Sequence, residues 1–391
     1  MNTKLVGATL IVAGTSIGAG MLALPIAVAN IGFWPAIALM LLIWSLSGYT
    51  ALLLTEANLA TGRGLNFHRM MGRSLGRGGQ LLCSASFLAL LYALTAAYLT
   101  GGASLVALKA KSLLAVELGG SSATLIFACT LGLVAAFGVR YVDLLTRGLF
   151  SLKMVALAIL VVLLLPQVEV HNLAPALPEQ GQGSLLMAAL PLIFTSFGFH
   201  VCIPPLVDYL EGDIRSLRKV FLMGSALPLL CYTLWLLAVF GPLGQAQLAS
   251  LAQGDSLANL VNAMATLTGS SSIATLVTLF ADLALVTSFI GVTLSLFEYL
   301  AELRQGHGGR VGTWLITFVP PLVLALALPE GFIAVLGFAA VPLAVLIVFL
   351  PVAAVLKLRD SVDAPYRVAG GTPALILATL LGALIVLAQL M

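Results

Sequence analysis

Gly14-Thr15-Ser16-Ile17-Gly18-Ala19-Gly20, with Pro25 close behind, interrupts an otherwise apolar run over residues 5–29. Three glycines and two hydroxyl side chains in seven residues make a poor helix core. Each glycine costs about 1 kcal/mol relative to alanine in a helix interior. Irregular backbone at membrane depth is tolerated only where it is buried in protein or lines a cavity. A second apolar run, 185–209, carries an interruption of the same kind: Pro191, then Thr195-Ser196-Phe197-Gly198-Phe199-His200, then Pro204-Pro205. Gly14-x-x-x-Gly18 also fits close helix packing, and for the first run alone that reading stays open. The matching break in the second run weighs against it.

The rest of the chain says why the setting is a membrane. Of 391 residues, 61% are hydrophobic and 8% are charged, and mean hydropathy is +1.12. Soluble domains carry about 25% charged residues. The composition excludes a soluble enzyme, a nucleic-acid binder and a disordered chain. A spanning helix needs about 20 apolar residues. Eleven runs qualify: 5–29, 33–60, 80–106, 121–139, 147–166, 185–209, 218–240, 271–299, 311–328, 332–350 and 373–391. None alternates as a transmembrane barrel strand does.

Threaded alternately, these runs sort the 18 Lys and Arg residues. Only Lys109 and Lys111 fall on one side. The rest, among them Lys4, Arg63, Arg140, Arg215, Arg218, Lys219, Arg304 and Arg359, fall on the other. The positive-inside rule then expects a cytoplasmic N-terminus and a periplasmic C-terminus. The first run is too long for a cleaved signal peptide. No nucleotide-binding loop occurs, and Cys83, Cys129, Cys202 and Cys231 lack metal-ligand spacing. No metal or cofactor is expected. Residues 256–269 are expected to form a short amphipathic helix capped by Ser256, and a short helical pattern lies around Phe67–Met71.

The two interrupted runs lie five spans apart. Because five is odd, the second set enters the membrane in the opposite sense. The expectation is an all-α polytopic membrane protein with 11 transmembrane helices: an inverted repeat over 5–166 and 185–350, plus an extra helix over 373–391. Paired interruptions of this kind point to a transporter site. Half-helix N-termini offer N–H groups to a carboxylate, and freed carbonyls face an ammonium. An amino acid carries both groups on one carbon.

Several stretches make the sequence recognisable: Val12-Ala-Gly-Thr-Ser-Ile-Gly-Ala-Gly-Met-Leu22, Ala93-Leu-Thr-Ala-Ala-Tyr98, Ile193-Phe-Thr-Ser-Phe-Gly-Phe-His200, Phe280-Ala-Asp-Leu-Ala-Leu285 and Tyr366-Arg-Val-Ala-Gly-Gly371. The chain resembles the bacterial aromatic amino acid permeases, nearest to their tyrosine carriers, over almost its whole length. The resemblance implies membership of the amino acid–polyamine–organocation superfamily and the LeuT-type five-plus-five inverted-repeat fold. It also implies proton-coupled symport of tyrosine across the bacterial inner membrane. Tryptophan or broader aromatic transport, and sodium coupling, are its alternatives.

Within the spans the candidate site residues fall into two groups. For substrate they are Gly14, Thr15, Ser16, Gly18, Ala19 and Gly20 at the first break, and Thr195, Ser196, Phe197, Phe199 and His200 at the second. Tyr92 and Thr95 in the third run, and Phe338 as an outer lid, join them; for each aromatic, plain packing is an equal reading. For proton coupling they are Lys153, Asp282 and His200. A charge at the bilayer centre costs at least about 2.5 kcal/mol and requires a reason. Asp282 reads either as a proton carrier or as a structural carboxylate, on a stripe with Ser271, Thr275, Thr278, Phe289 and Thr293. Lys153 reads as snorkelling or fixed in a salt bridge; the resemblance implies instead that its ammonium replaces the sodium ion of sodium-coupled relatives. His200 reads as a proton relay, a partner for a phenol, or a histidine bonded to backbone.

Other function classes fit less well. A channel needs a continuous polar pore, whereas polar residues here gather at mid-depth. A transporter-derived sensor is expected to add a soluble domain, and these residues read as spans. A membrane enzyme is expected to show a His or carboxylate cluster with metal spacing, and none is found.

Overall fold

The computed structural model describes residues 3–136, 139–174, 182–267, 269–304, 309–361 and 366–391; side chains of 133–144 and 182, Arg140 among them, lie outside the described residues. The described residues are helical, with no strand. Helices α1 (Thr3–Ser16) and α2 (Gly20–Ala27) form one bent span, with 53° between them. Then follow α3 (Phe33–Thr61), α4 (Phe67–Leu114), α5 (Gly120–Ala136) and α6 (Val139–Leu164). The second broken pair is α7 (Gln182–Ser196) and α8 (Ile203–Tyr209). After it come α9 (Ile214–Leu251), α10 (Ser256–Thr266), α11 (Ser271–Leu303) and α12 (Gly309–Ala327). The chain closes with α13 (Phe332–Phe338), α14 (Ala340–Ala344), α15 (Leu350–Ser361) and α16 (Gly371–Leu390).

Among the described residues, nine helical stretches are long and apolar enough to cross a membrane, with α7–α8 and α13–α15 counted as one each, and the bent α1–α2 pair makes ten. The protein is therefore a polytopic helical membrane protein. At 17 residues, α5 falls short of the length a spanning helix needs.

Several element ends differ from the sequence expectation for local reasons. Ahead of the span expected from residue 80, the short helical pattern around Phe67–Met71 is the opening of α4, where the Asn66 side chain accepts the Arg69 N–H at 2.9 Å. Gly76, at φ 78°, breaks it into two, a conformation that suits glycine. The short helix α10 is capped by Asp255, whose carboxylate accepts the Ala258 N–H at 3.2 Å, rather than by Ser256. A carboxylate bonds the exposed N–H groups and also meets the positive helix end.

Packing brings the interrupted helices to the centre. α1 lies along α9, α6 along α11, and α4 against α5, α11, α12 and α13. Gly224 in α9 permits the first of these contacts, since a Cβ there would fall 2.6 Å from Val12 Cβ and 2.9 Å from the Thr9 oxygen. At one end of the bundle Arg359 in α15 clamps α3. Its Nε and Nη2 donate to the two oxygens of Glu56 at 2.6 and 2.8 Å, and Glu56 also accepts the Val368 N–H at 2.7 Å. Glu56, near a span end by sequence, is thus buried and fully engaged.

Candidate functional site

Three residues, 17–19, separate the end of α1 from the start of α2. The backbone polar groups this gap frees find partners on distant helices. Ala19 N–H donates to Ser288 Oγ of α11 at 2.7 Å. The Ile17 carbonyl accepts from Lys153 Nζ of α6 at 2.9 Å. The Ser16 carbonyl accepts from the Tyr232 hydroxyl of α9 at 2.7 Å. That hydroxyl also lies 2.9 Å from the Ser196 carbonyl, where α7 ends. One O–H therefore stands between the two breaks, and its proton is shared between their carbonyls. At Gly20 a Cβ would lie 3.2 Å from Ser196 Oγ, so glycine keeps α2 and α7 close.

Lys153 is 1% exposed. Its ammonium sits 4.5 Å from the Phe150 ring centre and 3.4 Å from Thr287 Oγ1. Thr287 sends its own proton to the Leu283 carbonyl at 2.7 Å, so a lone pair faces the lysine. The cation is thus met by a carbonyl, a hydroxyl and an aromatic face. No carboxylate bonds it among the described residues.

Beside this lysine lies a cavity of about 340 Å³. Gly14, Thr15, Gly18, Lys153 and His200 line it, together with Tyr98, Thr287 and Ser288. Its apolar wall comes from Phe87, Leu90 and Leu94 of α4 and from Leu343, Leu346 and Ile347. The last two belong to a π-helical turn, Val345–Phe349, that widens the helix there. This size and lining, apolar with a few convergent polar groups, suit a small organic ligand.

Of the residues singled out by sequence, five line this cavity and the others have different surroundings. Ser16, Ala19 and Gly20 hold the break itself. Thr195 and Ser196 hydroxyls donate to the Leu192 carbonyl of their own helix at 2.8 and 2.9 Å. The Phe197 ring meets Tyr232 edge-on at 5.5 Å, and Phe199 stacks on His200 at 5.0 Å. His200 Nε2 lies 2.8 Å from Thr50 Oγ1. Thr95 donates to the Leu91 carbonyl at 2.7 Å, and Tyr92 to the Ile316 carbonyl of α12 at 2.9 Å. Phe338 is 51% exposed and outside the cavity lining.

Asp282 forms an ion pair with Lys109 of α4. At about 100° per residue, the cavity residues Ser288, Gly291 and Ser295 lie about 100–180° around α11 from Asp282 and Phe289. On the stripe read from sequence, Phe289 and Thr293 are buried, Thr278 and Asp282 are half-buried, and Ser271 and Thr275 are exposed. Phe289 on it packs edge-on against Phe127 at 5.5 Å. Sequence reading missed Tyr98, Ser288 and Tyr232. Tyr98 closes the stretch Ala93–Tyr98 that carries the resemblance, but Ser288 and Tyr232 are ordinary residues on ordinary helices and carry no local signal.

The profile of the tryptophan/tyrosine permease family matches residues 1–389. The chain is 40% identical over 388 residues to the tyrosine-specific transport system 1 of Haemophilus influenzae, covering 98% of this chain and 95% of that protein. It is 38% identical to the tyrosine-specific transport system 2 of the same organism, over 99% of this chain and 96% of that one. It is 34% identical to the tryptophan-specific transport protein of Pseudomonas aeruginosa, over 97% of this chain and 92% of the relative.

Proposed function

The chain belongs to the tryptophan/tyrosine permease family, and from that premise we propose that it is a proton-coupled symporter of L-tyrosine working by alternating access. Aromatic amino acid transport is the family's character, and the names of the relatives support it. Tyrosine is preferred because the two relatives at 40% and 38% identity are both named tyrosine-specific. Tryptophan is the second reading, favoured by the relative at 34%.

The observation that carries the coupling is the contact of the buried Lys153 ammonium with the Ile17 carbonyl at the first break. A cation held by neutral oxygens at a helix break fills the role of a bound metal ion. Unlike a metal ion, it is made and unmade by a proton. Protonated, Lys153 ties α6 to the break; deprotonated, it loses its hold on the carbonyl. Asp282 is already neutralised by Lys109, and His200 is engaged by Thr50, so Lys153 is the carrier in this proposal.

In this reading the substrate occupies the cavity beside the breaks. Its carboxylate meets N–H groups near Ser16–Gly20, and its ammonium meets carbonyls around Gly14–Thr15 and Thr195–Phe197. Its ring lies towards Phe87, Tyr98 and Phe150 of the lining. The spans group as repeats 5–166 and 185–350 with an extra helix 373–391, eleven in all with α5 counted. Two breaks that face each other across Tyr232 support that grouping. The N-terminus is cytoplasmic and the C-terminus periplasmic in the inner membrane in this reading, which the distribution of the basic residues supports. Rocking of the broken spans and their partners α3 and α9 against the other helices alternates access.

Reconstitution in liposomes tests this. Tyrosine uptake should follow an inward proton gradient, ignore sodium, and be competed by tyrosine more strongly than by tryptophan. Uptake that follows sodium alone ends the coupling claim; stronger competition by tryptophan ends the substrate claim.

A further inference from the structure

A groove between α3 and α9 lies away from the cavity and belongs to no step above. It encloses about 340 Å³ and is lined by Trp44, Ser45, Gly48, Leu52, Arg218 and Leu222, with Phe221 and Ser225 at its floor. A direct bond, Trp44 Nε1 to Ser225 Oγ at 2.9 Å, joins the two helices across it. The groove is therefore a built feature with a fixed width. From Trp44 to Leu52 it runs about 12 Å at 1.5 Å per residue.

Gly48 is the informative residue. Glycine weakens a helix, and inside membrane proteins it usually serves close helix approach. Here a Cβ would meet nothing within 4 Å. Among the described residues, no neighbouring helix uses the space that this glycine leaves. In a bilayer an apolar channel on a lipid-facing side is filled by an acyl chain. Leu41, Leu42 and Leu222, exposed at 45%, 42% and 58%, continue the apolar surface on either helix.

The end of the groove defines the headgroup. Arg218 lines it, with Arg215 and Lys219 exposed on the same first turns of α9. The Arg218 guanidinium is held by Tyr366, donating to its hydroxyl at 3.2 Å and lying 5.2 Å from its ring centre. Those contacts use one edge and one face of a five-donor group, which leaves donors for a phosphate. The charge complements an anionic headgroup at the membrane face where basic residues gather.

We propose that this groove is a binding site for one anionic phospholipid, its acyl chain along Gly48 and its phosphate on Arg218. The test is native mass spectrometry of the whole protein in detergent carrying equal phosphatidylglycerol and phosphatidylcholine. The expected result is one retained lipid, with about fivefold preference for phosphatidylglycerol. Gly48→Leu, whose Cβ would meet nothing within 4 Å, projects into the groove and should cut retention at least about fivefold, while Arg218→Gln should remove the headgroup preference. Gly148→Leu, in α6, likewise meets open space and should change nothing. Thermal unfolding of each variant separates lipid loss from misfolding. Equal retention of the two headgroups by the unsubstituted protein, or unchanged retention in folded Gly48→Leu, overturns the proposal.

Discussion

Lys153 and Ile17, 136 positions apart in sequence, are joined by a buried hydrogen bond from ammonium to main-chain carbonyl. The carbonyl exists as a free acceptor only because α1 stops at Ser16. If this bond couples protons to transport, removing the cation uncouples them. An inward gradient of one pH unit supports at most about tenfold accumulation in one-to-one symport. Lys153→Gln keeps length and polarity and loses the proton. It should bring tyrosine accumulation in liposomes down to the external concentration while exchange of preloaded tyrosine continues. Gradient-driven accumulation by the variant would remove Lys153 from the mechanism.

Tyr232 links the breaks through a single hydroxyl. Tyr232→Phe keeps the edge-on contact with Phe197 and deletes the bond to the Ser16 and Ser196 carbonyls. Losing such a buried bond costs about 1–3 kcal/mol. Because both carbonyls flank the proposed substrate site, the KM for tyrosine should rise about tenfold, with a modest fall in unfolding temperature. An unchanged KM would show that the hydroxyl plays no part in shaping the site.

Asp282 gives the opposite expectation. Its pair with Lys109 is part-exposed, the side chains being 28% and 38% accessible, and such pairs contribute about 0–1 kcal/mol. Asp282→Asn should leave proton-driven uptake within about twofold of the parent. Loss of gradient dependence in this variant would move the coupling role from Lys153 to Asp282.

These contrasts mark what was legible in sequence. The breaks were, because glycine, hydroxyl and proline residues at mid-span contradict helix propensity and need a cavity to explain them. Lys153 stood out because a cation inside a span is costly. Asp282 stood out for the same reason, yet the cost is met by Lys109 from a stretch that reads as an outer loop; α4 runs to Leu114 and brings the lysine alongside. Aromatic residues at the second break were legible as large and apolar, but not by direction. Phe197 and Phe199 turn to Tyr232 and His200, and the apolar cavity wall comes from α4 and the π-helical turn instead. Which face of a helix meets a cavity is fixed by the neighbours it packs on, and one sequence does not state them.

Gly224 carries the contact of α1 with α9. A methyl group there would lie 2.6 Å from Val12 Cβ, on a β-branched side chain with little freedom to move. Gly224→Ala should lower stability by about 1–3 kcal/mol through overpacking, read as a fall in unfolding temperature in detergent. An unaffected variant would mean that α1 shifts freely along α9.

The clamp between α3 and α15 gives the largest expected stability change. The Glu56 side chain is 2% exposed and Arg359 16%. Glu56 spends its two oxygens on the guanidinium and on the Val368 N–H. Arg359→Ala leaves a buried carboxylate with one main-chain donor, and uncompensated buried charges cost about 3–5 kcal/mol. Replacing both partners, as Glu56→Leu with Arg359→Met, removes the orphan charge and restores apolar volume. The double variant should regain most of the loss, short of about 1 kcal/mol for the Val368 N–H left without its acceptor. Thermal unfolding of the two variants reads this directly. A double variant as unstable as Arg359→Ala would show that the guanidinium acts through packing alone, and that the charge on Glu56 is not what makes its loss costly.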